Sequence, residues 1–298
     1  MRVVVTGSSG QVALSLRERA AAHGIDVALL GRPALDFENL ETIGPALRAA
    51  RPDLVVNAAA FTAVDLAEND EATATRINGD AAGEVAAEAA RLGAPIIHLS
   101  TDYVFDGLLD RPYRETDPVA PTGAYGRSKL AGEIAVAAAT DDHVILRTAW
   151  VYSPFGKNFV RTMLALGLKR QAVSVVADQI GNPSYAPDIG DGILAVASAL
   201  AKAPRDAELR GVFHMAGQGS ALWADLAEAT FQAAAAQGRA PVRVDRITSA
   251  DYPTPARRPA NSRLDCGKLH QRYGVALPNW RKSVKLCVAR LLQAEAKG

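Results

Sequence analysis

Tyr125 and Lys129 stand four residues apart in the run Ala124-Tyr125-Gly126-Arg127-Ser128-Lys129-Leu130-Ala131-Gly132-Glu133. On a helix, positions i and i+4 share a face, so a phenol and an ammonium at this spacing can meet one ligand. The ammonium favours phenolate, which lowers the phenol's pKa and makes it a better acid near neutral pH. The pair therefore suits proton delivery to a carbonyl oxygen while a bound cofactor gives hydride to the carbon. Thr101, in Ser100-Thr101-Asp102-Tyr103, places a hydroxyl at the end of an expected strand, where it can hydrogen-bond the same carbonyl. A strand-end turn is the competing reading for Thr101 alone. Tyr-x-x-x-Lys is also weak by itself; the ordered set of a glycine turn, Asn57, Thr101, Tyr125 and Lys129 carries the weight.

The glycine turn is Thr6-Gly7-Ser8-Ser9-Gly10-Gln11-Val12-Ala13. Gly7 and Gly10 permit a tight turn and close backbone approach to a pyrophosphate at a helix N-terminus. Ala13 takes the place of a third glycine and still permits close helix–strand packing. The expected second strand ends Leu29-Leu30-Gly31-Arg32-Pro33, without the acid that holds the ribose hydroxyls of NAD. Arg32 suits a 2′-phosphate instead, so NADPH is the expected cofactor and NADH the alternative; a solvated loop arginine is the competing reading. Asp36-Phe37 falls at a third strand end, near an adenine. The run Asn57-Ala58-Ala59-Ala60-Phe61-Thr62 supplies small residues where a backbone passes close to a cofactor, although core packing explains some of its alanines. A Gly-x-Ser-x-Gly elbow and a Walker lysine are both absent, so hydrolase and phosphoryl-transfer chemistry lack support.

Strand–helix alternation in the first half must position these groups. Strands are expected at 3–6, 27–30, 54–57, 95–100 and 144–147, and helices near 11–22, 38–50, 65–92 and 125–139. The strands are continuously apolar, as for strands covered on both faces. The expectation is an α/β fold: a doubly wound parallel Rossmann-type sheet with right-handed crossovers, binding ligands beyond the carboxyl ends of its strands. After residue 150, loops rich in Pro and Gly separate helices near 158–168, 186–200, 223–237 and 280–294. This predicts a cofactor domain over 1–150 and a smaller mixed α/β substrate domain over 151–298, with some segments returning to the first domain.

The 298 residues suit about two domains at roughly 150 residues each. A net charge of +1 gives no footprint for nucleic acid or an anionic membrane. No apolar run reaches the roughly 20 residues that span a bilayer. The opening Met1-Arg2-Val3-Val4-Val5 lacks signal-peptide organisation, and Cys266 and Cys287 form neither a metal motif nor a disulfide framework, so the cytoplasm is expected. The five histidines show no ligand pairing, and His98 reads as a satisfied core histidine.

Nearly end to end, the chain resembles the extended short-chain dehydrogenase/reductases, and among them the dTDP-4-dehydrorhamnose reductase family. Beyond the residues above, the resemblance rests on Arg51-Pro52-Asp53, Thr62-Ala63-Val64-Asp65, Val104-Phe105, Glu115-Thr116-Asp117, Trp150-Val151-Tyr152, Asn158-Phe159 and Asp178-Gln179. Its most specific block is Tyr252-Pro253-Thr254-Pro255-Ala256-Arg257-Arg258-Pro259 with Asn261-Ser262-Arg263-Leu264. The resemblance implies hydride transfer from NADPH to C4 of dTDP-4-dehydro-6-deoxy-L-mannose. Tyr125 would be the proton donor, Lys129 would bind the ribose and tune Tyr125, and Thr101 would orient the carbonyl. It implies that Gly10, Gln11, Val12, Asp36, Phe37, Ala60, Phe61 and Thr62 line the cofactor and that Thr101, Asp102 and Trp150 line the sugar nucleotide. Asn158 and Arg257 are expected near the diphosphate, with a helix cap and a surface arginine as the competing readings. Some members form a magnesium-bridged homodimer through three glutamates. The aligned residues here are Ser15, Pro187 and Arg290, none of them a hard-cation ligand, so no metal and a monomer or a homodimer without a metal bridge are expected. Another nucleotide-sugar dehydrogenase or epimerase, and a non-catalytic regulatory relative, are the competing functions.

Overall fold

The computed structural model describes residues 1–204 and 206–296. Strand β1 (Arg2–Thr6) leads through the glycine turn into helix α1 (Gln11–Arg19), followed by β2 (Asp26–Leu30), α2 (Ile43–Ala50), β3 (Leu54–Asn57), β4 (Ile96–Thr101) and β5 (His143–Thr148). Together with strand Gly211–His214 they form one parallel sheet in the order β2-β1-β3-β4-β5-(Gly211–His214). The period-2 alternation of a strand explains how it is covered. Val3 and Val5 face a core with Leu16 of α1 and with Ile189 and Ile193 of helix Ala186–Lys202. Val4, between them, faces Ile43 and Leu47 of α2 and Val85 of helix Ala81–Arg91. The sheet is thus doubly wound, which is why its strands read as unbroken apolar runs.

Several elements differ from expectation. Asp36-Phe37 closes no strand; Asp36 forms only an isolated bridge with Asn39 in the segment between β2 and α2. The sixth strand, Gly211–His214, is not among the expected ones; it is only four residues long and lies in the loop-rich stretch between helices Ala186–Lys202 and Trp223–Ala235. The expected helix over 65–92 is broken into Val64–Ala67, Glu71–Thr75, a π-helical turn at Arg76–Asp80, and Ala81–Arg91. Asp70 restarts it, its side chain accepting from Thr73 N at 3.1 Å. At the π-turn, Asn78 leaves the helix face to bond Phe61 N (2.8 Å), Phe61 O (3.1 Å) and Ser128 Oγ (2.9 Å). Helix Ala124–Ala139 crosses so closely there that a Cβ on Gly132 would lie 2.1 Å from Asn78 O. The bulge is therefore where the helix bearing Tyr125 and Lys129 docks.

In the second half, strands Ala172–Val176 and Arg243–Ile247 pair in parallel. Helices Phe159–Gly167, Trp223–Ala235 and Trp280–Glu295 pack around Tyr152, Tyr185, Trp280 and Cys287. A strap ahead of strand Asn261–Ser262 is pinned to the first half by Asp65, which accepts from Ala256 N (3.2 Å) and Arg258 Nη2 (2.8 Å). Among the described residues no helix is long and apolar enough to cross a membrane, and no cluster of three or more His, Cys, Asp or Glu side chains is arranged to hold a metal. Ser15 and Pro187 are buried, with Ser15 Oγ donating to Gln11 O at 2.7 Å. Arg290 is paired with Glu18 through two bonds of 2.8 and 2.5 Å.

Candidate active site

A cleft of about 800 Å³ opens at the carboxyl ends of the sheet strands. Gly7, Gly10, Gln11, Val12, Arg32, Asp36, Phe37, Ala60 and Thr62 line it, as do Thr101, Asp102, Tyr125, Lys129, Trp150 and Asn158. Phe61 and Arg257 are not among its walls. Phe61 has its backbone bonded to Asn78 and its ring packed with Ala67, Ala74 and Ala124. Arg257 is exposed, because both its neighbours in the strap are held by Asp65. Thr148, Lys157 and Trp223 are among the lining residues that carried no sequence signal of their own. Trp223 opens a helix, and an aromatic residue there reads equally as a core anchor.

The glycine turn is built for a phosphate. Gly7 has φ 94°, a left-handed conformation that favours glycine, and its N–H donates to Leu30 O at 2.6 Å. Gly10 caps α1 without any side-chain hydrogen bond, so the first N–H groups of the helix are left for an anion in the cleft. Gly31 must lack a side chain, since a Cβ would meet Ser8 Oγ at 2.4 Å. Arg32 is largely exposed at the rim, 3.7 Å from Glu38. These features fit the pyrophosphate and 2′-phosphate of a dinucleotide cofactor.

Helix Ala124–Ala139 brings Tyr125 and Lys129 to the same cleft as Thr101. Gly126 permits the approach, as a Cβ there would stand 2.3 Å from Tyr103 O. Tyr103 and Tyr125 meet edge to face, with ring centroids 5.7 Å apart. The expected electrostatics are reversed in the protein alone. Burial, with Asp102 adding to it, pushes Tyr125 up to about 12, and only the Thr101 hydroxyl opposes the shift. Lys129 does not lower it. The ammonium donates to Leu99 O at 2.7 Å, and burial pulls it down to about 8 against the attraction of Glu133. The ammonium's other two protons are left for a ligand.

Glu133 lies one turn beyond Lys129 and joins three elements of the site. It accepts from Ser100 Oγ (2.5 Å), next to Thr101, and from Arg147 Nε (2.8 Å) and Nη2 (2.6 Å) on β5. Both charged side chains are about 5% exposed. Behind this clamp, Asn57 accepts from Thr6 Oγ1 (2.7 Å) and donates to His98 Nδ1 (3.0 Å). His98 is held neutral, pushed well below its ordinary value by burial and Lys129; its Nε2 has no partner, so it is not the fully satisfied histidine expected.

Asp102 accepts from Thr101 Oγ1 at 3.0 Å, and its Oδ2 has no partner. Burial pushes this carboxyl from 3.8 up to about 6, against the Ser262 and Thr101 hydroxyls. A raised carboxyl contributes stability below its unfolded pKa and loses that contribution as pH rises through about 6. Two units correspond to about 3 kcal/mol. Asp102→Asn, which cannot ionise, is therefore expected to be more stable than the parent above pH ~6 by up to about 3 kcal/mol, with the gap closing toward pH ~4. Denaturant unfolding at both pH values checks this, and a gap independent of pH contradicts it.

On the other wall, Asn158 is a helix cap whose amide is fully engaged. Its Oδ1 accepts from Arg161 N (3.2 Å), and its Nδ2 donates to Ser153 O (2.8 Å), Gln11 Oε1 (3.1 Å) and Phe155 O (3.2 Å). It thereby ties the second half of the chain to the glycine turn.

A doubly wound parallel sheet, a glycine turn at the start of its first helix, and a buried Tyr-x-x-x-Lys helix beside a strand-end threonine define a dinucleotide-dependent reductase of the extended short-chain class. The chain belongs to the family described as RmlD substrate binding domain, whose model matches residues 1–293. It is 46% identical over 292 residues to a dTDP-4-dehydrorhamnose reductase of Sinorhizobium fredii, covering 98% of each chain. The solved structure of a dTDP-4-dehydrorhamnose reductase from Clostridium acetobutylicum is similar with a TM-score of 0.90 at 34% identity, over 98% of this chain and 100% of that one. The dTDP-4-dehydrorhamnose reductase of Bacillus anthracis, solved in complex with NADP, matches with a TM-score of 0.87 at 32% identity, over 97% and 99% of the two chains.

Proposed function

We propose that this chain reduces the C4 keto group of dTDP-4-dehydro-6-deoxy-L-mannose with NADPH to give dTDP-L-rhamnose. The observation that carries the reading is the convergence of Thr101, Tyr125 and Lys129 on the cleft that the glycine turn also lines. The end-to-end similarity to reductases of this substrate, one of them solved with NADP, supports the substrate and the cofactor. Gly7, Gly10, Gln11 and Val12 hold the pyrophosphate, Arg32 the 2′-phosphate, and Asp36 and Phe37 the adenosine end. Ala60 and Thr62 pass beside the cofactor, and Lys129 holds the nicotinamide ribose. Bound NADPH supplies hydride. Thr101 Oγ1 orients the carbonyl, and Tyr125 Oη gives its proton to the developing alkoxide. The phenol is protonated at neutral pH and enters the reaction as a donor, and an alkoxide is a stronger base than phenolate, so the transfer runs downhill. Asp102 and Trp150 receive the sugar nucleotide. Residues 1–150 serve mainly the cofactor and 151–298 mainly the substrate, in a cytoplasm that keeps Cys266 and Cys287 reduced.

The test supplies dTDP-glucose with the upstream dehydratase and epimerase and follows NADPH. One NADPH consumed per sugar reduced is expected; no consumption, or a cofactor recycled as in an epimerase, contradicts the reading. Arg32→Ala is expected to lower kcat/KM for NADPH by roughly 10- to 100-fold, the worth of a charge-assisted phosphate contact, with the value for NADH nearly unchanged. A parent enzyme with a higher kcat/KM for NADH than for NADPH overturns the cofactor assignment.

A further inference from the structure

Trp150 holds a backbone conformation that bulky residues rarely adopt, with φ 48°. Its carbonyl accepts from Ser184 N at 3.1 Å. Its indole stacks on that of Trp223, with ring centroids 3.7 Å apart and planes 8° from parallel, and both rings line the cleft. Gly181 makes room for the ring, since a Cβ there would stand 2.5 Å from Trp150 Cε2. Trp223 is fixed in turn. Phe159 packs against it at 4.7 Å. Trp223 Nε1 donates to Gln179 Oε1 (3.2 Å), Gln179 Nε2 donates to Ser249 Oγ (2.8 Å), and Ser249 Oγ donates to Asp178 Oδ1 (2.6 Å). Both ends of the Gln179 amide are engaged, so its orientation is determined and the indole it receives cannot rotate freely. The reaction assigned above gives none of Asp178, Gln179, Gly181 and Trp223 a task.

We infer that Trp223 is a positioning residue for the sugar nucleotide: tethered through Gln179, it clamps the Trp150 indole against Gly181 as a rigid apolar shelf beside the catalytic hydroxyls. A sugar ring offers an apolar C–H face that an aromatic plane can receive, and a shelf that cannot swing spares the substrate the ordering of that side chain on binding. Placement of the reacting carbon against Thr101 and Tyr125 then depends on Trp223, although Trp223 touches no reacting atom. The inference rests on the nucleotide-sugar reading.

Steady-state kinetics with both substrates test it. Trp223→Leu is expected to raise KM for the sugar nucleotide roughly tenfold, to lower kcat by a smaller factor and to leave KM for NADPH within about twofold. Trp223→Phe keeps a stacking ring but loses the bond to Gln179, and Gln179→Leu cuts the tether directly; both are expected to fall between parent and Trp223→Leu. Gly181→Ala drives the Trp150 ring from its place and is expected to match Trp223→Leu, which keeps the inference testable should Trp223→Leu fail to fold. An unchanged sugar-nucleotide KM in Trp223→Leu, or in Gly181→Ala, overturns the inference. So does an equal rise in both KM values, which marks general damage. A parent enzyme that turns over no sugar nucleotide defeats the proposed function instead, and with it the premise of the clamp.

Discussion

Tyr125→Phe is expected to lower kcat by about 10²- to 10⁴-fold, the usual worth of a positioned general acid, while leaving NADPH affinity within about twofold. The substitution removes a single atom. The ring keeps its edge contact with Tyr103 and its packing against Ala67, Ala74 and Ala124, so the helix that carries Lys129 has no reason to move. The Thr101 hydroxyl stays bonded to Asp102, and Lys129 remains bonded to Leu99 O. What disappears is the phenolic proton, which is in place at neutral pH. Single-turnover kinetics give the loss in chemistry, and a fluorescence titration of NADPH gives the retained binding. A variant with near-parental kcat removes Tyr125 from the donor role.

Glu133→Gln is expected to destabilise the protein by about 3–5 kcal/mol, because it leaves the Arg147 guanidinium buried without a counter-charge. Arg147 has little else to turn to. Its Nη1 has no hydrogen-bond partner among the described residues, and the Phe105 ring lies 5.0 Å from the guanidinium carbon. Replacing both partners, Glu133→Leu with Arg147→Met, is expected to restore much of the loss, since an apolar pair of similar volume carries no desolvation penalty. The same carboxylate supports the Lys129 ammonium against burial. Lys129 is charged below its pKa of about 8, so activity that needs the ammonium falls as pH rises through that value. Without Glu133 that alkaline limb is expected to move to lower pH. Denaturant midpoints and kcat/KM profiles against pH read the two effects separately. An unchanged midpoint in Glu133→Gln contradicts the clamp, and an unmoved alkaline limb contradicts the support of Lys129.

The five strands that carry the site were readable because each is a continuous apolar run, and a sheet covered on both faces demands that pattern. Strand Gly211–His214 was not, since four residues are too few to show a periodicity, although Gly211 and the turn at Gly217-Gln218-Gly219-Ser220 bound it. The helix break at 68–80 was hidden for another reason. Asn69-Asp70 and Asn78-Gly79-Asp80 favour helix poorly, but the alanine-rich residues around them read as one helix, and the π-turn coincides with the docking of a second helix at Gly132, a tertiary cause. Spacing alone placed Tyr125 and Lys129 on one face, but not their electrostatics. Burial raises one group and lowers the other, with Asp102 and Glu133 as their charged neighbours. Arg257 illustrates the converse limit. Its residue type suits a diphosphate, yet the direction of its side chain is set by Asp65, nearly two hundred positions away in the chain, which holds both neighbours. Trp223 was passed over because an indole at a helix start has no signature that separates a cleft wall from a core anchor.

Hydride from the nicotinamide is expected to reach C4 of a dTDP-linked keto sugar in the cleft bearing Tyr125. NADPH carrying deuterium at both C4 positions of its nicotinamide ring tests this most directly. One deuterium at the sugar C4 of the product, and none elsewhere, is the expected result. A product without deuterium at C4, or with the isotope at another carbon, contradicts the account.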